Sequence, residues 1–321
     1  MSKTLIAISD TVFPNWKPAE AALAGIDFEL RQAKTPDADA ILDVARDADA
    51  MFVTYAKITS DVIAGLNKCK VIGRFGIGTD NIDLKAAADA GIAVTYAPVY
   101  CLEEVSDHTL ALLLSLVRKI PFSTRMVSDG RWEMPAVVPI RRLKGRTLGL
   151  IGIGNIAQAV IRKAQAFGIE TIAFDPYAPD SLFAAQKTEK VSLDDLYARA
   201  DFVSVHAPLT PETEKMLNAE AFAKMKPEAV LINTSRGPLV DVDALAKALD
   251  AGEIAGAGLD VLPQEPPPAG NPLAGRDNVI LTPHTGFYSE DALLDLQTTV
   301  ASDVAAVLGG KAPKYPVKSR G

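Results

Sequence analysis

The run Thr147-Leu-Gly-Leu-Ile-Gly-Ile-Gly-Asn-Ile-Ala157 constrains this chain more than any other stretch. An apolar, strand-like segment leads into a glycine-rich turn, after which Ile156, Val160, Ala164 and Phe167 recur at helical spacing. The helix has a natural stop at Gly168, and a second apolar run, Thr171-Ile-Ala-Phe174, closes on Asp175. This is the layout of a βαβ unit that holds a dinucleotide. Gly152 permits the sharp turn, and Gly154 lets the backbone approach a pyrophosphate. Ala157 allows close helix–strand packing, and the helix N-terminus offers N–H groups and the positive end of its dipole. Asp175 stands at the distance expected for a ribose contact, with no arginine beside it to receive a 2′-phosphate, which favours NAD over NADP. A glycine turn can join strand to helix for structural reasons alone; strand, helix, second strand and terminal acid together favour binding.

The rest of the chain keeps an α/β rhythm, so a parallel sheet with right-handed crossovers is expected. Before residue 97, strands are expected at Leu5–Ser9, Ala50–Tyr55 and Val71–Phe75, and helices at 18–25, 38–48 and 60–66. The strand at Val71 runs into a second glycine-rich segment, Gly73-Arg-Phe-Gly-Ile-Gly-Thr-Asp-Asn-Ile-Asp83, without an acid-terminated strand behind it. It is either a plain turn or a loop whose N–H groups at Gly76, Ile77 and Gly78 bind a carboxylate. Cys101 to Ile120 reads as one long helix that crosses between domains, with Val105, Leu110, Leu113, Leu114 and Leu116-Val117 as its buried stripe. His108 lies inside that helix and is read as a packing or hydrogen-bonding residue, because a helix interior is a poor place for a proton shuttle.

Composition narrows the function classes. With 321 residues and 48% apolar content the chain can build two cores. A net charge of −7 without a basic run sets a repulsive field against nucleic acid. Leu5-Ile-Ala-Ile8 is too short for a signal-peptide core or a membrane span, so a cytoplasmic protein is expected. Cys69 and Cys101 lack metal spacing, and no metal site is expected.

Downstream of Asp175, apolar strands end at His206-Ala207, at Thr234-Ser-Arg236, at Asp260 and at Thr282-Pro-His284. Ligands of open parallel sheets lie off the carboxyl ends of the strands, so these polar groups belong to one edge. Their chemistry suits hydride exchange with a hydroxy acid. Arg236 can grip a carboxylate bidentately and polarise a carbonyl, and His284 can take or return the hydroxyl proton. Glu265, on the proline-rich loop after Asp260, would orient the His284 ring and favour its imidazolium form. Taken singly, Glu265 could be a solvated acid and Arg236 a surface ion pair; together with His284 they read as a site. His206 and Ala207 read as a wall near the nucleotide, and Tyr55-Ala-Lys57, Arg74-Phe75 and the residues near Phe287 as the surroundings of the substrate side chain.

These motifs resemble the D-isomer-specific 2-hydroxyacid dehydrogenases over essentially the whole chain. The matching segments are the Gly73-to-Asp83 loop, the Gly149-to-Ala157 fingerprint, Asn233-Thr-Ser-Arg-Gly237, Gly258-Leu-Asp-Val261 with Glu265, and Thr282-Pro-His284. The resemblance implies an Arg236, Glu265 and His284 catalytic set, with Asn155, Ile156, Asp175, Thr234 and Asp260 around NAD. It implies two Rossmann-like or flavodoxin-like parallel-sheet domains around a cleft. A substrate domain of residues 1–100 and 288–321 would carry an inserted NAD-binding domain of residues 101–287, usually as a homodimer built on the nucleotide domains. Pro139-Ile-Arg-Arg-Leu-Lys-Gly145, Phe174-Asp-Pro-Tyr177 and His284-Thr-Gly-Phe-Tyr-Ser-Glu290 look most like the branch of the C-terminal-binding protein corepressors and their bacterial relatives. Phe287 stands where those corepressors carry a tryptophan, so their substrate preference does not carry over. Two functions follow: an NAD-dependent D-2-hydroxyacid dehydrogenase with Arg74, Phe75, Gly76 and Ile77 near the substrate, or an NAD(H)-sensing interaction protein. The chain ends at Gly321, without the regulatory extension of many phosphoglycerate dehydrogenases; a serine-pathway role stays open without being indicated.

Overall fold

A computed structural model describes residues 3–317. Residues 1–2 and 318–321, the outer ends of the expected substrate domain, lie outside the described residues. Two compact units emerge: the chain up to Tyr100 together with Ser289 onward, and Cys101–Tyr288, inserted in sequence between those two segments.

The first unit alternates β1 (Thr4–Ile8), α1 (Lys17–Ala22), β2 (Phe28–Gln32), α2 (Ala38–Ala45), β3 (Ala50–Val53), α3 (Ser60–Ala64), β4 (Val71–Arg74), α4 (Leu84–Asp89) and β5 (Ala93–Thr95). Its strands are all parallel in the order β2-β1-β3-β4-β5, the flavodoxin-like winding. The four residues of β3 and of β4 are all buried, as strands covered on both faces require. β2 escaped the sequence reading because Phe28-Glu-Leu-Arg-Gln32 is a half-exposed edge strand with two charges. The C-terminal helix, Glu290–Leu308, packs on β4 so closely that a Cβ on Gly73 would lie 2.7 Å from Val304 and 2.8 Å from Val300. Phe52 centres an aromatic cluster, with Phe75 at 4.9 Å and Trp16 stacked at 5.8 Å between ring centroids.

The second unit comprises α5 (Leu102–Val117), α6 (Ile120–Ser128), β6 (Thr147–Ile151), α7 (Asn155–Ala166), β7 (Glu170–Phe174), α8 (Asp180–Ala185), β8 (Glu189–Lys190), α9 (Leu193–Arg199), β9 (Phe202–Val205), α10 (Ala219–Ala223), β10 (Val230–Asn233), α11 (Val242–Ala251), β11 (Gly256–Leu259) and β12 (Val279–Leu281). Seven parallel strands run β12-β11-β10-β9-β6-β7-β8. The helix expected over Cys101–Ile120 stops early: Lys119 turns left-handed at φ +52°, and Pro121, near the start of α6, cannot continue α5's hydrogen bonds. Nor does α5 cross between domains. It packs within the second unit, on α7, β10 and β11, along the stripe of Val105, Leu110 and Leu113.

Phe52 is fully buried, and Phe52→Ala should lower the unfolding free energy by about 3–5 kcal/mol in urea titrations, the usual cost of emptying a ring-sized core site. A loss under ~1 kcal/mol would show that the aromatic cluster is not a core.

Candidate active site

The registers of the seven-stranded sheet set Leu281, Leu259, Asn233, Val205, Ile151 and Phe174 on one line across neighbouring strands. One residue further along come Thr282, Asp260, Thr234, His206, Gly152 and Asp175. The strand order reverses between β6 and β9, so Gly152 and His206 flank the switch point, where ligands of such sheets bind.

The glycine turn is built as the spacing predicts. Gly152 has φ +93°, and a Cβ there would lie 2.7 Å from the carbonyl oxygen of His206. Nothing lies within 4 Å of a Cβ built on Gly154, so the cradle above it is open. α7 begins at Asn155 and Ile156 with no side chain capping its N-terminus. Asp175 accepts from Ile153 N (3.1 Å) with one oxygen, and from Tyr177 N (3.0 Å) and Ala178 N (3.2 Å) with the other. A carboxylate offers about four lone-pair directions, so capacity remains for a ribose hydroxyl. An open glycine turn, an uncapped helix start and a terminal acid fit a dinucleotide. His206 Nε2 lies 2.9 Å from the buried Ser204 hydroxyl, and Ala207 packs on the core beside it. His206 keeps part of its surface, yet its ring is desolvated, which lowers its pKa to about 4 and keeps the imidazole neutral.

Three adjacent strands deliver the expected catalytic set. Asn233, fully buried at the end of β10, donates to Arg236 O (2.8 Å) and accepts from Ser235 N (3.0 Å), shaping the loop that presents Arg236. Gly237 is required next, because a Cβ there would collide with the Leu262 carbonyl group on the loop after β11. That loop carries Glu265, which accepts from Leu262 N (2.9 Å) through Oε1 and meets His284 Nδ1 at 2.7 Å through Oε2. Burial would push the Glu265 carboxyl up; the His284 and Leu262 hydrogen bonds outweigh it and hold the group below the usual range. With Glu265 ionised, Nδ1–H of His284 donates to it. The Phe287 ring meets His284 edge-on at 6.2 Å.

The carboxylate of Asp260, a residue expected beside the cofactor, holds the 282–286 turn. It accepts from Thr282 Oγ1 (2.6 Å), Thr285 N (2.9 Å) and Gly286 N (2.8 Å). Burial opposes its ionisation, but bonds from His108, Thr282, Gly286 and Thr285 keep it ionised below the usual carboxylate range. Thr234 Oγ1 lies 2.9 Å from Thr109 Oγ1 on α5.

In the first unit, the Gly73-to-Asp83 segment is a loop off β4. The Gly76 N–H, one of three amides expected to hold an anion, donates instead to Arg74 O (3.1 Å), because Gly76 folds back at φ +148°. A Cβ on Gly76 would collide with the Arg74 guanidinium, which itself donates to Phe75 O (2.6 Å). Arg74 and Phe75 are buried and Ile77 half-buried. The reading of single motifs missed the residues that hold this loop and its neighbour: Asp10, which accepts from Thr54 N (3.0 Å) and Tyr55 N (2.6 Å), and Asn81, which donates to Ala56 O (2.9 Å). It also missed Asn233. Each sits at a strand end or in a loop, and only sheet order shows what it reaches.

Fold and site define a doubly wound, dinucleotide-binding α/β protein with a cation, a histidine and an acid on its carboxyl edge. A family model described as the NAD binding domain of D-isomer specific 2-hydroxyacid dehydrogenases matches residues 110–286. The chain is 42% identical to a D-3-phosphoglycerate dehydrogenase of Methanocaldococcus jannaschii over 273 residues, 84% of this chain and 52% of that one. It is 36% identical to a glyoxylate reductase of Korarchaeum cryptofilum, covering 94% of each. The crystal structure of a D-lactate dehydrogenase from Aquifex aeolicus, complexed with NAD and lactic acid, superposes with a TM-score of 0.86 at 30% identity, over 95% of this chain and 96% of that one. This chain therefore belongs to the D-isomer specific 2-hydroxyacid dehydrogenase family. It spans about half the length of the phosphoglycerate dehydrogenases it matches.

The His206 ring makes a pH prediction. Its folded pKa of about 4 lies below the unfolded value of about 6.5, so protons favour the unfolded chain between those limits. Stability should fall as pH drops from about 6.5 to 4, and His206→Gln should flatten that part of the curve in urea unfolding across pH. An equal slope in both proteins would contradict a desolvated ring.

Proposed function

We propose that the protein is an NAD-dependent D-2-hydroxyacid dehydrogenase that interconverts a small 2-keto acid and its D-2-hydroxy acid. The observation that carries the reading is the 2.7 Å His284–Glu265 pair beside the Arg236 loop, on the same sheet edge as the open Gly152 turn. Residues 101–287 would form the NAD-binding domain, and residues 1–100 with 288–321 the substrate domain. Gly152, Gly154, Asn155 and Ile156 would hold the pyrophosphate, Asp175 the ribose, and His206, Ala207 and Thr234 the nicotinamide half. Asp260 would act there through the turn it fixes. The Asp175 carboxylate would repel a 2′-phosphate, which favours NAD over NADP. NAD supplies or accepts the hydride when bound.

The protein's own groups do the rest. Arg236 grips the substrate carboxylate and polarises the carbonyl, a planar fork suited to both. In reduction, His284 Nε2 gives its proton to the carbonyl oxygen; in oxidation it takes the hydroxyl proton. Glu265 fixes the ring through Nδ1 and stabilises the charged form. Arg74, Phe75, Gly76 and Ile77 would contact the substrate, with Gly76 contributing room for the Arg74 guanidinium rather than an amide. The alternative, an NAD(H)-sensing interaction protein, has no observation in its favour, and the relatives described above carry enzyme names.

A homodimer through the nucleotide-binding unit fits the run of exposed apolar side chains Ile120, Val127, Trp132, Met134 and Val138. Among the described residues no helix is long and apolar enough to cross a membrane. A net charge of −7 disfavours nucleic acid, and two buried thiols suit a cytoplasmic setting.

Purified protein should oxidise NADH with at least one of glyoxylate, hydroxypyruvate and pyruvate. His284→Asn should lower kcat/KM by about 10²- to 10⁴-fold while NADH still binds, as fluorescence titration would report. Folded, NADH-binding protein inert towards the whole panel would overturn the assignment. Trp132→Glu combined with Met134→Glu should shift sedimentation from dimer to monomer; a wild-type monomer would contradict the assembly.

A further inference from the structure

We propose that His108 is a positioning residue: acting through Thr282 and Asp260, it fixes the turn that presents His284, while its neighbour Thr109 braces the loop that presents Arg236. The need for such a brace is visible in the backbone. His284 has φ +53°, a left-handed conformation uncommon for a residue with a side chain, and one that contacts fixing the turn help to hold.

Those contacts are connected. His284 N donates to Asp260 O (2.8 Å), and the Asp260 carboxylate, 2% exposed, accepts the next two amides of the turn, Thr285 N and Gly286 N. Thr282 Oγ1 donates to Asp260 Oδ1 (2.6 Å), so its oxygen is the acceptor for His108 Nε2 at 2.9 Å. His108 therefore carries a proton on Nε2, which also lies 3.3 Å from Asp260 Oδ1. Gly286 leaves no slack, since a Cβ there would sit 2.8 Å from Asp260 Oδ2 and 3.3 Å from His108 Cδ2. The next residue of α5 repeats the device on the other loop. Thr109 Oγ1 donates to Val105 O (2.7 Å), so it accepts from Thr234 Oγ1, two residues before Arg236. One helix, packed on β10, β11 and β12, thus holds both loops by consecutive side chains.

The kinetic arm of the test rests on the reading of His284 and Arg236 as the reacting pair; the spectroscopic arm does not. His108→Leu removes the donor, and His108→Gln keeps an N–H that can reach Thr282. The Leu variant should lose kcat by about 10- to 100-fold, as a displaced catalytic group does, with NADH affinity little changed, and the Gln variant should recover most of it. The chain has three histidines, so ring-labelled protein gives three imidazole signal sets. The His284 set should shift or broaden in His108→Leu and stay in place in His108→Gln. Thr282→Val, nearly the same volume, should reproduce the Leu signature if that variant folds poorly. Unchanged His284 signals and kcat in both His108→Leu and Thr282→Val, or a Gln variant as impaired as Leu, would overturn the inference. A wild-type protein that reduces no keto acid defeats the proposed function, while the ring signals still decide this point.

Discussion

The site depends on one constraint, the in-register carboxyl edge of a parallel sheet. Parallel strands bonded in a common register end together, and six of the seven strands of the second unit do so within one residue of the same line. Residues more than 100 positions apart in sequence, such as Gly152 and Thr282, are thereby brought to a single edge. The strands themselves are nearly all apolar and buried, so the sheet is held by its core, and the polar groups at its rim are free to serve chemistry.

Loops at the strand ends of both units would move if left alone, and half-buried or buried carboxylates hold them. Asp10 ties the loop after β3, Asp175 the glycine turn, and Asp260 the His284 turn, each by accepting two or more backbone N–H groups. At the opposite end of the sheet Asp201 accepts one backbone N–H, from Thr147, with Arg146 and Lys226 beside it. A hydrogen bond to a charged acceptor contributes about 1.5–3 kcal/mol, and the burial that would disfavour the charge is offset by several at once. Removing one such acid would leave several amides unsatisfied together. Acids of this kind belong to the framework of the site even where they never meet a ligand.

Much of this was legible in the chain. The Gly152 turn, the helix at Asn155 and the acid at Asp175 are local features, written within one βαβ unit. Arg236, Asp260 and His284 were legible as strand-end residues because the apolar runs before them are unambiguous. Other features were not. The helix break fell at Lys119, one residue before the expected end at Ile120, and β2 is a short, half-exposed edge strand with two charges. His108 looked like any helix histidine, since a sequence does not show which loop a helix face meets. The Gly76 amide looked available, and only the backbone angle turned it onto Arg74.

The amino-acid sequence by itself determined most of the element order, the parallel α/β class, the nucleotide turn and the types of residue available for chemistry. These follow from periodicity and from the conformational freedom of glycine, which act over a few residues. Tertiary structure alone decided other meetings: Gly237 against Leu262, His108 on Thr282, and the Asp260 carboxylate on the 282–286 turn. Strand order and register, set by the burial of whole strands against whole helices, fix those distances, and no local run of residues encodes them.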